Sequence, residues 1–249
     1  GEPVVKPSQD IVLGIYWMTV TIDENHPVKA YSSKEEVITA YDLDVLGVRS
    51  KVKMMIEGKL TETTVGRVLF NEILPEGYGY LNEVLTSKKL TAVIERIFVD
   101  YGPEETVKFV DKMKDIGFEF STISGISMSM DDFQIPADKA EILAKFDAKE
   151  KQVYSQYNQG LITGDEKYAK VLETWMEARD EVMHSMEKHM DQTTSAAIMM
   201  NSGARGNISQ MAQMAGMKGL VVNASGRTIE FPIKSNYKEG LSSLEYFSS

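Results

Sequence analysis

The clearest pattern in the 249-residue chain lies between positions 137 and 191. Ile142, Phe146, Val153 and Tyr157 fall on one stripe of a helix predicted over 137–159, because residues three, four and seven apart share a helical face. Tyr168, Val171, Trp175, Ala178 and Val182 recur every three or four residues along a second helix that begins at Thr163, the spacing of a two-helix seam. Gly160 supplies a stop between them. Thr163-Gly164-Asp165-Glu166 is a capping box, in which a hydroxyl and a carboxylate three residues apart satisfy free N–H groups. Two helices of about six turns joined by so short a loop fold back on each other. Most other positions are charged, fourteen acidic against eight basic between 131 and 191. A narrow seam with a solvated acidic exterior predicts an antiparallel coiled-coil hairpin that protrudes from the body.

The rest is less regular. After a turn at residues 7–10, the apolar run 11–20 reads as a buried helix or strand, helix being favoured, 24–31 as a polar loop, 33–46 as a helix and the alternating stretch 48–56 as a strand. Three short helices are expected at 86–101, 104–116 and 118–123, then a small-residue loop or edge strand at 124–132. A helix over 207–217 puts Met211, Met214 and Met217 on one face, a pattern of core packing or, as the alternative, of a compliant surface beside a moving element. Residues 223–226 read as a turn, 228–232 as extended, and a last helix starts near Tyr237. The expected fold class is α+β: a helix-dominated irregular body carrying the hairpin.

Composition narrows the chemistry. The absence of cysteine removes disulfides, thiolate metal sites and a cysteine nucleophile, and fits a reducing, cytoplasmic setting. No apolar run reaches the roughly 18 residues of a membrane span, so no membrane partner is expected. The net charge of −10 argues against a free-standing nucleic-acid binder. It is uneven: residues 201–249 hold five basic and three acidic side chains, so that tail is +2 and the remainder −12. Any phosphate contact belongs in the tail. Both ends read as cut, one without an initiator Met and the other in mid-helix.

Few residues offer a site. His184 and His189 are five apart, about 140 degrees around a helix, and do not share a metal; His26 stands alone in a polar loop. Asp131-Asp132 reads as a turn that caps the next segment. Ser202-Gly203-Ala204-Arg205-Gly206 has more promise: Gly203 and Gly206 let backbone approach a ligand, the following helix presents N–H groups, and Arg205 adds a forked cation suited to phosphate. A structural helix start is the alternative. Leu161 and Ile162 are apolar residues at an exposed turn, which suggests that a partner covers them. With Asn158, Gly160, Asp165 and Glu166 they form the candidate docking tip.

Several strings together resemble the largest subunit, beta-prime, of bacterial DNA-directed RNA polymerase, over essentially the whole chain. They are Pro7-Ser8-Gln9-Asp10 with Leu13-Gly14, Thr64-Val65-Gly66-Arg67, Ser124-Gly125 through Asp131-Asp132 to Ile135-Pro136, and Gly160-Leu161-Ile162-Thr163. Ser202-Gly203-Ala204-Arg205-Gly206, Gln210, Gly216-Met217-Lys218-Gly219-Leu220, Pro232-Ile233, Glu239-Gly240-Leu241 and Glu245-Tyr246-Phe247 follow in family order. The resemblance implies a pore and funnel body at 1–130, the secondary-channel rim helices at 131–191, the F-loop region at 192–236 and the start of the bridge helix at 237–249. It implies that Arg205, with Gly203 and Gly206, lies near the triphosphate of the incoming nucleotide, and that factors entering the channel dock on the hairpin. Ala212 and Lys218 stand where many relatives carry arginine. The implied partners are the beta, alpha, omega and sigma subunits, channel-binding factors and nucleoside triphosphates, with DNA and RNA only in the assembled enzyme. The family's magnesium motif would precede Gly1, so no cofactor is expected in this chain and it would not polymerise RNA alone. The rival reading is a stand-alone coiled-coil module that docks proteins; a second is an unrelated magnesium enzyme using Asp131, Asp132 or the many glutamates.

Overall fold

The structure, a computed structural model, describes residues 5–21 and 28–249; the expected loop around His26 lies outside them. The chain divides into two compact units, Gly1–Ser127 with Ile198–Arg205, and Met128–Ala197 with Gly206–Ser249. Helices dominate and the sheet is small, which is the α+β class expected.

The first unit is built on the apolar helix α1 (Gln9–Thr19), whose Val12, Ile15 and Met18 are fully buried. A two-residue strand β1 (Lys29–Ala30) and helix α2 (Lys34–Asp42) follow, the latter capped by the Ser33 hydroxyl, which accepts from Glu36 N–H. Strands β2 (Lys51–Ile56) and β3 (Lys59–Thr64) pair antiparallel, with Lys51 opposite Thr64, while β1 joins β2 in parallel. The strand expected at 48–56 is present; its partner β3 lacks a clean alternation of apolar residues. Thr64 ends β3 and caps α3 (Val65–Asn71), accepting from Arg67 N–H.

Helix α4 (Ser87–Ser124) replaces the three short helices expected there. Gly102, at φ 84° and ψ 176°, breaks it just before Pro103, so the first predicted boundary is real. The second is not: Phe118 and its neighbours continue the same helix until Gly125, at φ 58°, ends it. Residues beyond it form a loop and a 3-10 turn at Met130–Asp132, not an edge strand.

α1 crosses its neighbours at backbone contact. A Cβ added to Gly14 would lie 1.9 Å from Gly117 O and 2.6 Å from Ser121 N; one added to Gly66 would lie 1.9 Å from Met18 O. Arg67 then closes the end of α1, donating from Nε to Thr19 O at 3.0 Å and from Nη2 to Thr21 Oγ1 at 3.2 Å. A cation on the last carbonyls of a helix stabilises it there.

The second unit holds α5 (Lys139–Asn158) and α6 (Gly164–His189), which lie antiparallel: Lys145 pairs with Glu181 at 2.7 Å and Lys149 with Glu177 at 2.9 Å. Trp175 faces the first helix as expected, in one buried cluster with Ile142, Phe146, Val171 and Ala178. That cluster also contains Met217, with Leu220 packed against it, so the seam is shared with a third segment. Toward the loop the seam opens, with Tyr154 and Tyr157 exposed.

Helix α7 (Ser195–Ser202) leads to α8 (Ile208–Ala215), which ends before Met217; Met211 in the helix and Met217 just past it are buried and Met214 is half-buried, the packing role expected of the methionines. Residues 219–233 form a narrow ribbon, bridged at Gly219 with Ile233 and at Val222 with Thr228, around the expected turn. The last helix, α9 (Ser243–Ser248), starts later than Tyr237 because residues 234–240 are spent on contacts. The fully buried Asn236 donates to the carbonyls of Ala215 and Gly216, and Glu239 pairs with the buried Lys139.

Two outcomes follow. Gly14→Ala drives a methyl group into a backbone carbonyl, so chemical denaturation of the variant should show a loss of more than about 3 kcal/mol or no cooperative transition. Gly160→Ala, where nothing lies within 4 Å but φ is +72°, should cost only about 1–2 kcal/mol. The second concerns Glu245. Burial alone would raise its pKa, but hydrogen bonds from the backbone and hydroxyl groups of Ser242 and Ser235 outweigh that and hold it at about 2. A depressed carboxylate stabilises the fold above its unfolded pKa, near 4.5, and the contribution is lost as pH falls through the folded value. The stability gap between wild type and Glu245→Gln should therefore be on the order of 1–3 kcal/mol at pH 6 and shrink steadily toward pH 2.

Candidate functional site

The glycine-rich string is a helix stop that presents one arginine. Ser202, fully buried at the end of α7, donates its hydroxyl to Met199 O at 2.8 Å and accepts from Ala204 N–H at 3.1 Å. Gly203, at φ +75°, turns the chain out of the helix. A Cβ there would sit 3.1 Å from that of Ser87, so glycine is needed both for the turn and for the close approach. Ala204 packs on the core of the first unit. Arg205 is next and is exposed; its guanidinium has no hydrogen bond or ion pair among the described residues. A pinned loop with an unengaged forked cation at its tip suits an anion that approaches from solvent.

Gly206, at φ +85°, opens the second unit. The helix after it contributes less than the sequence suggested. Asn207 Oδ1 accepts from Gln210 N–H at 2.9 Å, and Gln210 Oε1 accepts from Asn207 N–H at 3.2 Å. This reciprocal cap uses donors that an anion would otherwise take, so the case for an anion rests on Arg205.

The hairpin loop is exposed as expected, with one exception. Asn158 ends α5, and Gly160, at φ +72°, and Leu161 donate their N–H groups to Tyr157 O and Gln156 O. Leu161 is 69% exposed, but Ile162 is half-buried, so only one of the two apolar residues is fully presented. Asp165 is exposed and has no hydrogen bond or ion pair among the described residues. Glu166 is committed to the cap: its carboxylate accepts from Thr163 N–H at 2.8 Å and from the Thr163 hydroxyl at 3.0 Å, and these bonds lower its pKa.

One arrangement beneath the loop was not legible in the sequence. Lys167 pairs with Glu230 of the ribbon at 2.9 Å and lies over the rings of Tyr154 and Tyr157. Next to it the Tyr168 hydroxyl donates to Thr228 O at 2.9 Å, and Arg227 covers the Tyr168 ring. The ribbon is therefore fastened along the hairpin within the second unit. No local pattern links residues 60 apart in the chain.

The remaining candidates have local roles. His189 Nδ1 lies 2.8 Å from Ser185 O. Asp132 accepts from Ser129 N–H at 2.9 Å and so caps its own 3-10 turn, whereas the next helix has Asp138 at its cap position, so the Asp131-Asp132 pair does not cap the next segment as expected. Among the described residues no three His, Asp or Glu side chains converge as a metal site, and no helix is long and apolar enough to cross a membrane.

Comparison with known proteins gives the same answer along the whole chain. The family model for RNA polymerase Rpb1, domain 3, matches residues 1–133, and that for RNA polymerase Rpb1, domain 4, matches residues 138–242. The DNA-directed RNA polymerase subunit beta' of Sulfurihydrogenibium sp. (strain YO3AOP1) is 41% identical over 263 residues, covering 100% of this chain. The subunits beta' of Moorella thermoacetica and Fusobacterium nucleatum are 42% and 39% identical, again over 100% of the chain. The chain spans 17% of the first of these relatives, 22% of the second and 19% of the third. Two family matches in sequence order, the first over more than half the residues, establish that the chain belongs to the RNA polymerase Rpb1 family, alongside the bacterial beta' subunits.

Proposed function

We propose that the chain works as a part of DNA-directed RNA polymerase, in which it forms the wall and rim of the secondary channel and a loop beside the active site. The observation that carries this reading is the family match over residues 1–133 and 138–242. In this reading the chain acts only when assembled with the beta, alpha, omega and sigma subunits, and DNA and RNA meet that assembly. Residues 131–191 form the rim hairpin, 192–236 the F-loop region and 237–249 the start of the bridge helix. The catalytic magnesium is held by residues outside this chain.

Arg205 contacts the triphosphate of the incoming nucleotide. The chemistry supports it: a guanidinium binds phosphate through two parallel hydrogen bonds, Arg205 is exposed and unengaged, and Gly203 and Gly206 leave the backbone beside it open. The hairpin tip, with Leu161 at its apex and Asp165 beside it, is the docking surface for factors that enter the channel. Lys167, held by Glu230, keeps the ribbon in step with that surface.

Single-nucleotide addition by an assembled polymerase carrying Arg205→Ala tests the first role. The cost should be on the order of 1.5–3 kcal/mol, roughly ten- to hundredfold in nucleotide utilisation, and Arg205→Lys should recover part of it. Unchanged efficiency would make Arg205 no more than a helix-start residue. For the second role, Leu161→Ser should weaken binding of a channel-inserting factor about tenfold and leave basal nucleotide addition as it was. Equal factor affinity in a direct titration would count against the tip.

A further inference from the structure

The sheet of the first unit has one covered edge and one that is open for part of its length. Along β3 the loop after α3 closes the edge: Asn82 Nδ2 donates to Glu62 O at 2.8 Å, and the Thr63 and Tyr80 hydroxyls share a hydrogen bond at 2.9 Å. Along β2 the neighbour is β1, which pairs only with Val52 and Lys53. A last main-chain bond runs from Tyr31 N–H to Lys53 O at 2.8 Å, after which the chain leaves the sheet and enters α2 at Lys34. Main-chain groups of every second residue in a strand face the same edge, so the N–H and C=O of Met55 point the same way as those of Lys53. No hydrogen bond reaches either group among the described residues, and Met55 is 50% exposed.

This open edge borders a cleft of about 710 Å³ within the same unit, in the size range of roughly 300–1,000 Å³ that ligand clefts occupy. Ile56, Leu74 and Pro75 are half-buried in its walls. Its charge is acidic. Lys34 is matched by Glu72 at 2.8 Å, while Glu35, Glu57 and Glu76 are exposed and have no ion pair among the described residues. Glu57 is held there against its preference: with Gly58 it makes the two-residue turn between β2 and β3, at φ +49°, where glycine or asparagine sits more easily. An anion would meet these carboxylates, and no three of them converge to hold a metal ion. A strand edge calls for another main chain, the apolar walls for an apolar side chain, and the carboxylates for Lys or Arg.

We propose that the open edge of β2 is a docking site for an extended, basic segment of a partner protein. The main chain of that segment pairs with Met55 in line with β1, an apolar side chain lies against Ile56 and Leu74, and flanking Lys or Arg side chains meet Glu57 and Glu76. Main-chain pairing gives affinity and the side chains give selection. The site lies within the first unit and does not depend on the roles proposed for Arg205 and the hairpin tip.

The test uses the 249-residue chain labelled with nitrogen-15 and two hexapeptides, one alternating lysine with valine and one alternating glutamate with valine. At low salt the lysine peptide should shift the Met55 amide signal to saturation with a Kd on the order of 100 µM. The glutamate peptide should bind at least about tenfold more weakly. Glu57→Gly removes a carboxylate and suits the turn better, so this variant should melt no lower than wild type yet bind the lysine peptide several times more weakly. Met55→Pro removes an N–H that makes no bond in the free protein, and should lose about tenfold, read at the Gly58 amide. If that variant does not fold, Glu57→Gly and Glu76→Lys, both at exposed positions, carry the test. Equal affinity for the glutamate peptide, unchanged binding in the folded variants, or saturating shifts elsewhere that spare the Met55 amide would each overturn the proposal. A Met55 shift that grows with protein concentration alone would also overturn it, and would assign the edge to a second copy of this chain.

Discussion

Helix α1 meets α4 and the start of α3 with no side chain between the backbones, and the first unit depends on that contact. Gly14, Gly66 and Gly117 make it possible, since a methyl group on any of them would lie within 3 Å of main-chain atoms. Glycine inside a helix costs roughly 1 kcal/mol relative to alanine. The return is close packing: Val12, Ile15 and Met18 reach a core that includes Phe70, Ile94, Phe109 and Met113. Thr19, at the end of the same helix, donates to Ile15 O and accepts from Leu85 N–H, and Arg67 covers its carbonyl. Cap, crossing and clamp all come from Thr64-Val65-Gly66-Arg67, which explains physically why that string is informative.

The second unit is held in the opposite manner, by long side chains. The ion pairs between α5 and α6 are exposed and each is worth little. The apolar seam around Trp175 and Phe146 carries more of the stability, together with a few buried polar groups at the base. Lys139 is buried with one carboxylate partner, Glu239, whose Oε2 also accepts from Asn236 N–H. Removing one member of such a set leaves a buried charge unanswered, which costs more than the pair contributes. Asn236, Glu239 and Glu245 thus determine where the last helix begins.

The candidate functional groups stand apart from these supports. Arg205 is exposed on a loop whose neighbours Ser202, Gly203 and Ala204 are each anchored, an arrangement that fixes the backbone and leaves the guanidinium to a ligand. Leu161 is exposed above a capping box that fixes the turn beneath it. In both places rigidity is local and the presented side chain is unengaged, as a binding residue on a pre-organised scaffold should be.

The sequence by itself determined the elements that local chemistry specifies. The α5–α6 pair was legible because apolar residues three and four apart, a glycine stop and a capping box act within a few residues of one another. The same holds for the break at Gly102-Pro103 and the candidate status of Arg205. The tertiary structure decided what depends on partners far along the chain. Strand β3 was hidden because most of it is exposed and what holds it is pairing with β2, not an apolar alternation of its own. Phe118 belongs to α4 because nothing stops that helix before Gly125, although the local pattern suggested a break. Gly14 and Gly117, more than a hundred residues apart, carry no mark in sequence of being opposite each other. The pairing of Lys167 with Glu230 and the open edge of β2 past Lys53 were equally invisible, because hydrogen bonds and cavities are set by which surfaces meet, and periodicity specifies only which face of a helix is apolar.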